Sequence, residues 1–311
     1  MFVIDPDPYS LPSYRIGPFR TADLAKNHLL PENNKVDLYF KERFGNRPFL
    51  YTNNGRKAIS LVLNHLNLKE KDVVTILTTS GNFYISGCVT AEIEKKCLWS
   101  RDIVPETKAI FLNHEFGVPY QYPEKLKALG LPVIEDCANT FLSRNADGED
   151  PGIVGDYVIY SFPKMFPIQI GGLLVSKHVT AIQEHYGMNS DVLQYVKNVL
   201  SAHIDSLGDI AAKRLFNYNY LKQRFGELGI SERFQMNEGI VPSVFMFKSP
   251  HPQLDLPGLK AYFYSHGVQC SVFYGEEAFF IPVHQTLEKE DLDYFVAVMK
   301  SFLKKSSYEV V

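Results

Sequence analysis

Short apolar runs alternate with stretches of helical periodicity between residues 48 and 176. Continuous apolar runs rich in β-branched residues predict strands at 48–52, 72–77, 97–100, 108–112, 131–135, 156–161 and 172–176. Apolar positions at helical spacing predict intervening helices at 55–68, 83–94 and 123–129. Unbroken apolar strands are typical of parallel sheets that are buried on both faces. The pattern therefore predicts an α/β fold with a mixed, mostly parallel central sheet.

The alternation of predicted strands and helices changes after residue 176. Long helical patterns cover 191–203 and 210–227, followed by strands at 241–247 and 268–273 and helices at 256–266 and 289–303. This order predicts a large domain over 1–230, which includes a proline-rich, irregular and helical lead-in over 1–40. A small C-terminal α+β domain is expected over 231–311.

The composition of the chain argues against several classes of function. The chain has 311 residues, 45% apolar and with a net charge of −3, so nothing favours binding to nucleic acid or anionic membranes. We expect no signal peptide, because the start lacks a basic region before an apolar core, and no run of about 20 apolar residues occurs. Nine histidines without paired spacing give no reason to expect a metal. The scattered cysteines predict reduced thiols and a cytoplasmic location: Cys88, Cys97, Cys137 and Cys270.

An acid and an amine end two neighbouring predicted strands. The run LPVIED ends in Asp136, and the run YVIYSF ends two residues before Lys164, which lies among aromatic residues and prolines. Ligands collect at the carboxyl ends of strands in α/β sheets. An amine that forms a Schiff base and a carboxylate that pairs with the pyridinium nitrogen are what pyridoxal phosphate (PLP) requires. The apolar neighbours predict that Lys164 is partly desolvated and nucleophilic. Alternatively, Asp136 is a helix cap or a solvated residue.

Five further residues could complete such a site, and all of them except Ser161 also have a simpler explanation. Gly55 and Arg56 open a predicted helix, where free N–H groups favour a phosphate, but an Asn-capped turn is the simpler explanation of this segment. Phe83 could stack on a cofactor ring or pack into the core. Asn139 could bind a ring oxygen or form a turn, and Ser161 could bind phosphate.

The order of these motifs resembles that of the DegT/StrS family of PLP-dependent nucleotide-sugar aminotransferases. The resemblance runs from about residue 38 to the end of the chain, and it rests on the segments YFKERFGNRPFLYTNNGRKAI, FYISGCVTAEIEKKCLWSRDI, NHEFGVP, VIEDCANT, GDYVIYSF and IPVHQTLEKEDLDYFV. It implies the aspartate aminotransferase-type fold, known as fold type I of PLP-dependent transferases.

The resemblance also implies a role for each candidate. Lys164 is expected at the Schiff-base position and Asp136 at the pyridinium partner, and these two are the implied catalytic residues. The other cofactor-binding residues are Phe83 (ring stacking), Asn139 (ring hydroxyl), and Gly55, Arg56 and Ser161 (phosphate). The implied reaction moves an amino group from an amino acid, L-glutamate, to a nucleotide-linked keto-sugar for surface polysaccharide or amino-sugar biosynthesis. A homodimer is expected.

Two departures keep alternatives open. Lys164 follows the Phe of SF by two residues, where the family has four, and an Arg-rich segment expected after residue 176 is absent from the sequence. A PLP-dependent dehydratase or a transaminase acting on a non-sugar ketone is one alternative. The lysine itself favours transamination modestly, since some dehydratases of this family carry His there. A non-catalytic family member with a structural or regulatory role is the other, and a colourless protein that takes up no PLP would favour it.

Overall fold

The computed structural model describes residues 12–248 and 254–308, with side chains as far as Lys305. Residues 1–11, which belong to the predicted lead-in and to the expectation about a signal peptide, lie outside the described residues. The chain divides into two compact units. The larger contains Phe19–Leu207 and Glu238–Ile240, and the smaller contains the described residues before Phe19, Gly208–Asn237 and those from Val241 onward.

One sheet forms the centre of the larger unit. Its seven strands lie in the order β1-β7-β6-β5-β4-β2-β3, with β2 to β6 mutually parallel and β7 antiparallel to both neighbours. The prediction of a mixed, mostly parallel sheet is therefore confirmed. The strands are β1 (Phe49–Thr52), β2 (Val73–Thr78), β3 (Leu98–Ser100), β4 (Thr107–Asn113), β5 (Val133–Asp136), β6 (Tyr157–Ser161) and β7 (Gly172–Val175).

Helices cover both faces of this sheet. The α-helices are α1 (Asp23–His28), α2 (Lys35–Phe44), α3 (Gly55–His65), α4 (Gly87–Glu94), α5 (Val179–Gln183) and α6 (Ser190–His203), with 3₁₀ turns at Pro123–Leu129, Phe162–Lys164 and Ile204–Ser206. Alternate residues of β4 show the two-sided burial. Ala109 and Phe111 pack on the side of α3 and α4, whereas Ile110 and Leu112 pack with Leu126 on the opposite side.

The predicted helix at 83–94 begins later than expected. It starts at Gly87, because the side chain of Ser86 accepts a hydrogen bond from the Cys88 N–H and caps the helix there. Phe83 consequently lies in the connection between β2 and α4. The prediction that places Phe83 at a helix start is wrong.

The smaller unit is an α+β structure. It has the antiparallel sheet β10-β11-β9-β8, and its elements are α7 (Leu207–Gly226), β8 (Ser231–Glu232), β9 (Val244–Lys248), α8 (Leu256–Ser265), β10 (Ser271–Phe273), β11 (Ala278–Pro282) and α9 (Lys289–Tyr308). The expected division between residues 230 and 231 falls inside this unit. The reason is that Tyr218, Leu221 and Phe225 of α7 pack in one core with Phe245 and Phe247 of β9.

Among the described helices, none is both long and apolar enough to cross a bilayer.

A buried carboxylate joins β4, β5 and the segment that precedes β6. Glu135 and His114 are each 1% exposed, and Glu135 Oε2 lies 2.9 Å from His114 Nε2. Glu135 also accepts hydrogen bonds from the backbone N–H groups of Gly152 (3.0 Å), Val154 (3.0 Å) and Gly155. Burial acts to raise the pKa of Glu135, but the hydrogen bonds from His114, Gly155 and Gly152 outweigh it and lower that pKa.

A cationic side chain, that of Arg47, binds the carbonyl groups of the same segment, residues 152–155. Arg47 donates from its two Nη atoms to the carbonyl oxygens of Gly152 (2.7 Å) and Gly155 (2.8 Å). Gly152 has φ +96°, and a Cβ there would lie 2.6 Å from Val158 Cγ1, so glycine is required. Residues 152–155 are thus fixed between Glu135 and Arg47.

We predict that Glu135→Ala lowers the free energy of unfolding by about 3 kcal/mol or more, because four hydrogen-bond donors, three of them buried, lose their acceptor. Urea denaturation monitored by circular dichroism measures this loss. Glu149→Ala, an exposed acid of the neighbouring loop, is the matched control and should change the same quantity by less than about 0.5 kcal/mol. Equal effects of the two substitutions would contradict the role given to Glu135.

The stabilisation by the Glu135 charge should depend on pH. Since folding lowers the pKa of Glu135, its contribution is fully present above the unfolded value of about 4.3 and is lost as the pH falls through the folded value. The difference in unfolding free energy between the wild type and Glu135→Gln, which has no charge to lose, should therefore be constant near neutral pH and shrink in acid. A difference that grows on acidification would refute this prediction.

Candidate active site

The carboxyl ends of β4, β5 and β6 lie side by side and carry the central candidate residues. Asp136 is the last residue of β5 and stands opposite Asn113 of β4 and Ile159 of β6. β6 continues to Ser161, and the 3₁₀ turn Phe162–Lys164 follows at once. The strand register therefore brings Asp136 and Lys164 to the same edge of the sheet.

Asp136 is an acid in an unusual environment. Asp136 is 8% exposed, and its Oδ1 accepts a hydrogen bond from the Ala138 N–H at 3.0 Å. Burial raises the pKa of Asp136, while the Ala138 N–H and nearby positive charges, among them that of Lys164, act in the opposite direction. A buried carboxyl of raised pKa is suited to share a proton with a basic nitrogen.

Lys164 is exposed, so the prediction that its neighbours desolvate it is wrong. The aromatic and apolar residues around it turn away from the amine, because Phe162, Met165 and Phe166 bury their own side chains in the core against α2 and α6. The amine is consequently accessible to a ligand at the sheet edge.

The start of α3 lies against the end of β6. A Cβ at Gly55 would lie 3.4 Å from Ser161 Cβ and 3.7 Å from Ser161 Oγ, so the helix N-terminus approaches the serine closely. The backbone links the two segments through Gly171, whose N–H donates to Asn53 O (2.7 Å) and whose carbonyl accepts from the Phe162 N–H (3.1 Å). Free N–H groups of α3, Ser161 and the lysine turn therefore share one region.

The explanation of the turn before α3 as an Asn-capped turn is confirmed. Asn54 caps the helix, since its Oδ1 accepts from the Lys57 N–H at 2.9 Å, and Arg56 is exposed in the first turn. Gly172 allows β7 to pass beside this turn: a Cβ there would lie 2.8 Å from both Asn54 C and Tyr160 O.

Phe83 and Asn139 occupy connections at the same edge. Phe83 follows β2, two strands from β5, and its side chain is 66% exposed with its ring 6.3 Å from that of Trp99. The alternative that Phe83 packs into the core is therefore excluded. Asn139 is half-buried in the turn after β5, three residues beyond Asp136. Asp136, Ser161 and Lys164 thus lie at the ends of the neighbouring strands β5 and β6, Gly55 lies against Ser161, and Phe83 lies two strands away from β5.

A buried polar cluster lies next to Asp136. His114, Glu135 and Cys137 each bring one possible metal ligand atom within 4.8 Å of the others. However, His114 Nδ1 accepts from the Tyr120 N–H (2.9 Å) while Nε2 faces Glu135, and burial raises the pKa of the Cys137 thiol well above its usual range. The group is thus organised as a hydrogen-bonded cluster. Sequence reasoning did not give Glu135 a role; its position beside Asp136 at a strand end was the available signal.

Solved structures of known proteins share this fold. The aminotransferase TlmJ from Streptoalloteichus hindustanus superposes with a TM-score of 0.72 at 15% identity, covering 92% of this chain and 95% of that one. Spr1654 from Streptococcus pneumoniae in its PLP form gives 0.70 at 15% identity, covering 96% and 99%. The synthase of 3-amino-5-hydroxybenzoic acid gives 0.70 at 13% identity, covering 95% and 100%.

Sequence comparison gives the family. No curated protein sequence matches this chain. The model of the DegT/DnrJ/EryC1/StrS aminotransferase family matches residues 26–180, a segment that contains all seven strands of the larger sheet together with Asp136 and Lys164. Through this segment, the chain belongs to the DegT/DnrJ/EryC1/StrS aminotransferase family.

Proposed function

We propose that this chain is a PLP-dependent aminotransferase that transfers an amino group from L-glutamate to a nucleotide-linked keto-sugar in surface polysaccharide or amino-sugar biosynthesis. The observation that carries the proposal is that buried Asp136 and exposed Lys164 lie at the same edge of the sheet, in a chain of an aminotransferase family. Two separate strands deliver an acid and an amine to this place.

The residues present fit PLP. When bound, PLP supplies an aldehyde and an electron-withdrawing ring, which carry the amino group between donor and acceptor. The chain offers a buried carboxyl of raised pKa for the ring nitrogen and an exposed primary amine for the aldehyde. The α3 N-terminus beside Ser161, where Gly55 has no side chain, offers N–H groups and a hydroxyl to the phosphate.

Asp136 and Lys164 perform the proton chemistry in this proposal. The Asp136 carboxylate holds the proton of the ring nitrogen, and the low exposure of Asp136 keeps water from competing for it. The Lys164 Nζ removes the proton from the α-carbon of the amino-acid donor, and it returns a proton to the carbonyl carbon of the acceptor in the second half of the reaction. The exposure of Lys164 makes its amine accessible to a bound ligand.

The remaining candidates bind and orient the cofactor. Gly55, Arg56 and Ser161 hold the phosphate, Phe83 stacks on the ring and Asn139 binds the ring hydroxyl. The close approach of Gly55 to Ser161 supports the first assignment, and the exposure of the Phe83 ring supports the second, since a stacking ring must be available. The position of Asn139 three residues after Asp136 supports the third.

The proposal includes a homodimer that acts in the cytoplasm. Dimers are what the family resemblance implies. All four cysteines are free thiols, and Cys97, Cys137 and Cys270 are buried, which suits a reducing compartment. Measuring the rate of amino transfer to nucleotide-linked keto-sugars and to a non-sugar ketone distinguishes the proposed acceptor from the alternative one.

We predict that Lys164→Ala abolishes the visible absorbance that the wild-type protein acquires when PLP is added. The physical reason is that the only amine supplied by the turn after β6 is removed. An absorbance scan of the purified protein before and after PLP measures this. Lys177→Ala removes an exposed lysine of the same unit, and this control should show the same spectrum as the wild type. Normal absorbance in Lys164→Ala would refute the assignment.

We predict that Asp136→Asn still takes up PLP but slows the glutamate-dependent spectral change by about a hundredfold or more, because the ring nitrogen loses its anionic partner. Stopped-flow absorbance after addition of L-glutamate measures the rate. Asp147→Asn, a change to an exposed acid in a nearby loop, serves as the control. If Asp136→Asn reacts at the wild-type rate, the role of Asp136 is wrong.

A further inference from the structure

Phe83 is held in place by the backbone around it rather than by packing of its ring. Its side chain is 66% exposed, and its ring meets Trp99 at a centroid distance of 6.3 Å. The connection that carries it, residues 79–83, is called here the Phe83 segment. The Phe83 N–H donates to the side-chain oxygen of the preceding residue, Asn82 Oδ1, at 2.7 Å. The position of the ring therefore depends on what fixes residues 79–82.

Arg101 fixes this segment from one side. It is the first residue after β3, and its Nη2 lies within hydrogen-bond distance of Thr78 Oγ1 (3.1 Å), Asn82 O (2.9 Å) and Gly81 O (3.5 Å). One guanidinium thus joins the end of β2 to the residue immediately before Phe83. The planar, permanently charged guanidinium, with several donors in fixed directions, is suited to such a bridge.

Glu115 fixes the segment from the other side. Its Oε2 accepts from the Ser80 N–H (2.7 Å), and its own N–H donates to Thr79 Oγ1 (3.0 Å), which in turn donates to Val118 O (2.8 Å). Burial lowers the pKa of Arg101, while the Glu115 carboxylate acts to raise it. Opposite charges therefore flank the Phe83 segment, and they hold it between β3 and the connection after β4.

We propose that Arg101 is a positioning residue that sets Phe83 against the ring of PLP, an inference that rests on the proposed function. An exposed aromatic side chain stacks well only if its backbone is already fixed, because ordering a mobile loop on binding reduces the affinity. Arg101 fixes that backbone through Asn82 and Thr78. It touches neither the cofactor nor the substrate in this assignment.

The chain contains a probe for this region. Trp99 is its only tryptophan, and the ring lies beside that of Phe83 with its Nε1 donating to Glu94 Oε1 at 2.8 Å. Binding of PLP next to Phe83 should quench the fluorescence of Trp99. This gives a PLP dissociation constant that does not depend on activity.

The experiment titrates PLP into the full chain and follows Trp99 fluorescence. We expect Arg101→Gln to bind PLP about fivefold more weakly than the wild type, which corresponds to about 1 kcal/mol. Arg101→Lys, which keeps the charge but not the planar fork, should lie between the two. Lys95→Gln removes a cation next to α4 that pairs with Glu92, and this control should bind PLP like the wild type.

A double-mutant cycle with Phe83→Ala separates positioning from a general effect on the fold. If Arg101 acts through Phe83, Arg101→Gln should weaken PLP binding in the wild-type background and have no further effect in the Phe83→Ala background. Where Arg101→Gln does not fold, as judged by circular dichroism, the same cycle is run with Arg101→Lys.

The outcomes are distinct. A wild type that binds no PLP contradicts the proposed function, and this inference with it. If the wild type binds PLP and both Arg101→Gln and Arg101→Lys bind it as tightly as the wild type does, this inference is contradicted while the proposed function is not. Weakening of the same size in the Phe83→Ala background also overturns it, because Arg101 would then act independently of the aromatic ring.

Discussion

The ionised carboxylate of Glu135, buried and surrounded by four hydrogen-bond donors, is the interaction on which the sheet edge depends. It connects His114 at the end of β4 with the backbone at residues 152–155. Consecutive side chains of a strand point to opposite sides, so Asp136 faces away from this cluster. The pKa of Glu135 is lowered and that of Asp136 is raised. Two adjacent acids thus have different tasks, and the difference comes from the number of donors that each one meets.

Close backbone packing completes the region around the amine. Gly171 and Gly172 let β7 return beside the turn before α3, which sets Gly55 against Ser161. The lysine turn between β6 and β7 is anchored by Phe162 and Phe166 in the core. Buried apolar residues on either side of Lys164 therefore hold the turn, while Lys164 itself is exposed. The family membership of residues 26–180 and the geometry of this turn support the same chemistry.

Much of the fold could be predicted from sequence, because continuous apolar runs are visible without tertiary information. β2, β4, β5 and β6 are found within two residues of their predicted bounds. β8 and β11 were not predicted; β8 has two residues, too few for a periodicity, and β11 is one apolar run without a turn signal before it. The start of α4 was misplaced because the capping of that helix by Ser86 was not recognised. The exposure of Lys164 depends on which way its neighbours turn, and composition does not determine this.

The domain division and the two polar networks, one around Glu135 and one around Arg101, could not be predicted from the sequence. Both depend on contacts between residues that are far apart along the chain. α7 belongs to the smaller unit through tertiary packing of three of its side chains, and helical periodicity says nothing about the core that a helix joins. Arg101 and Glu115 meet the Phe83 segment from two different connections. Residues separated in sequence give no signal of their proximity in one sequence alone.

The segment between Glu135 and Arg47 also has a consequence for folding. Its N–H groups are satisfied by a residue 17 to 20 positions earlier, and its carbonyl groups by one 105 to 108 positions earlier. Closing so long a loop costs chain entropy before any bond is gained, and contacts of large sequence separation slow folding. Residues 152–155 are therefore expected to adopt their final conformation late in folding.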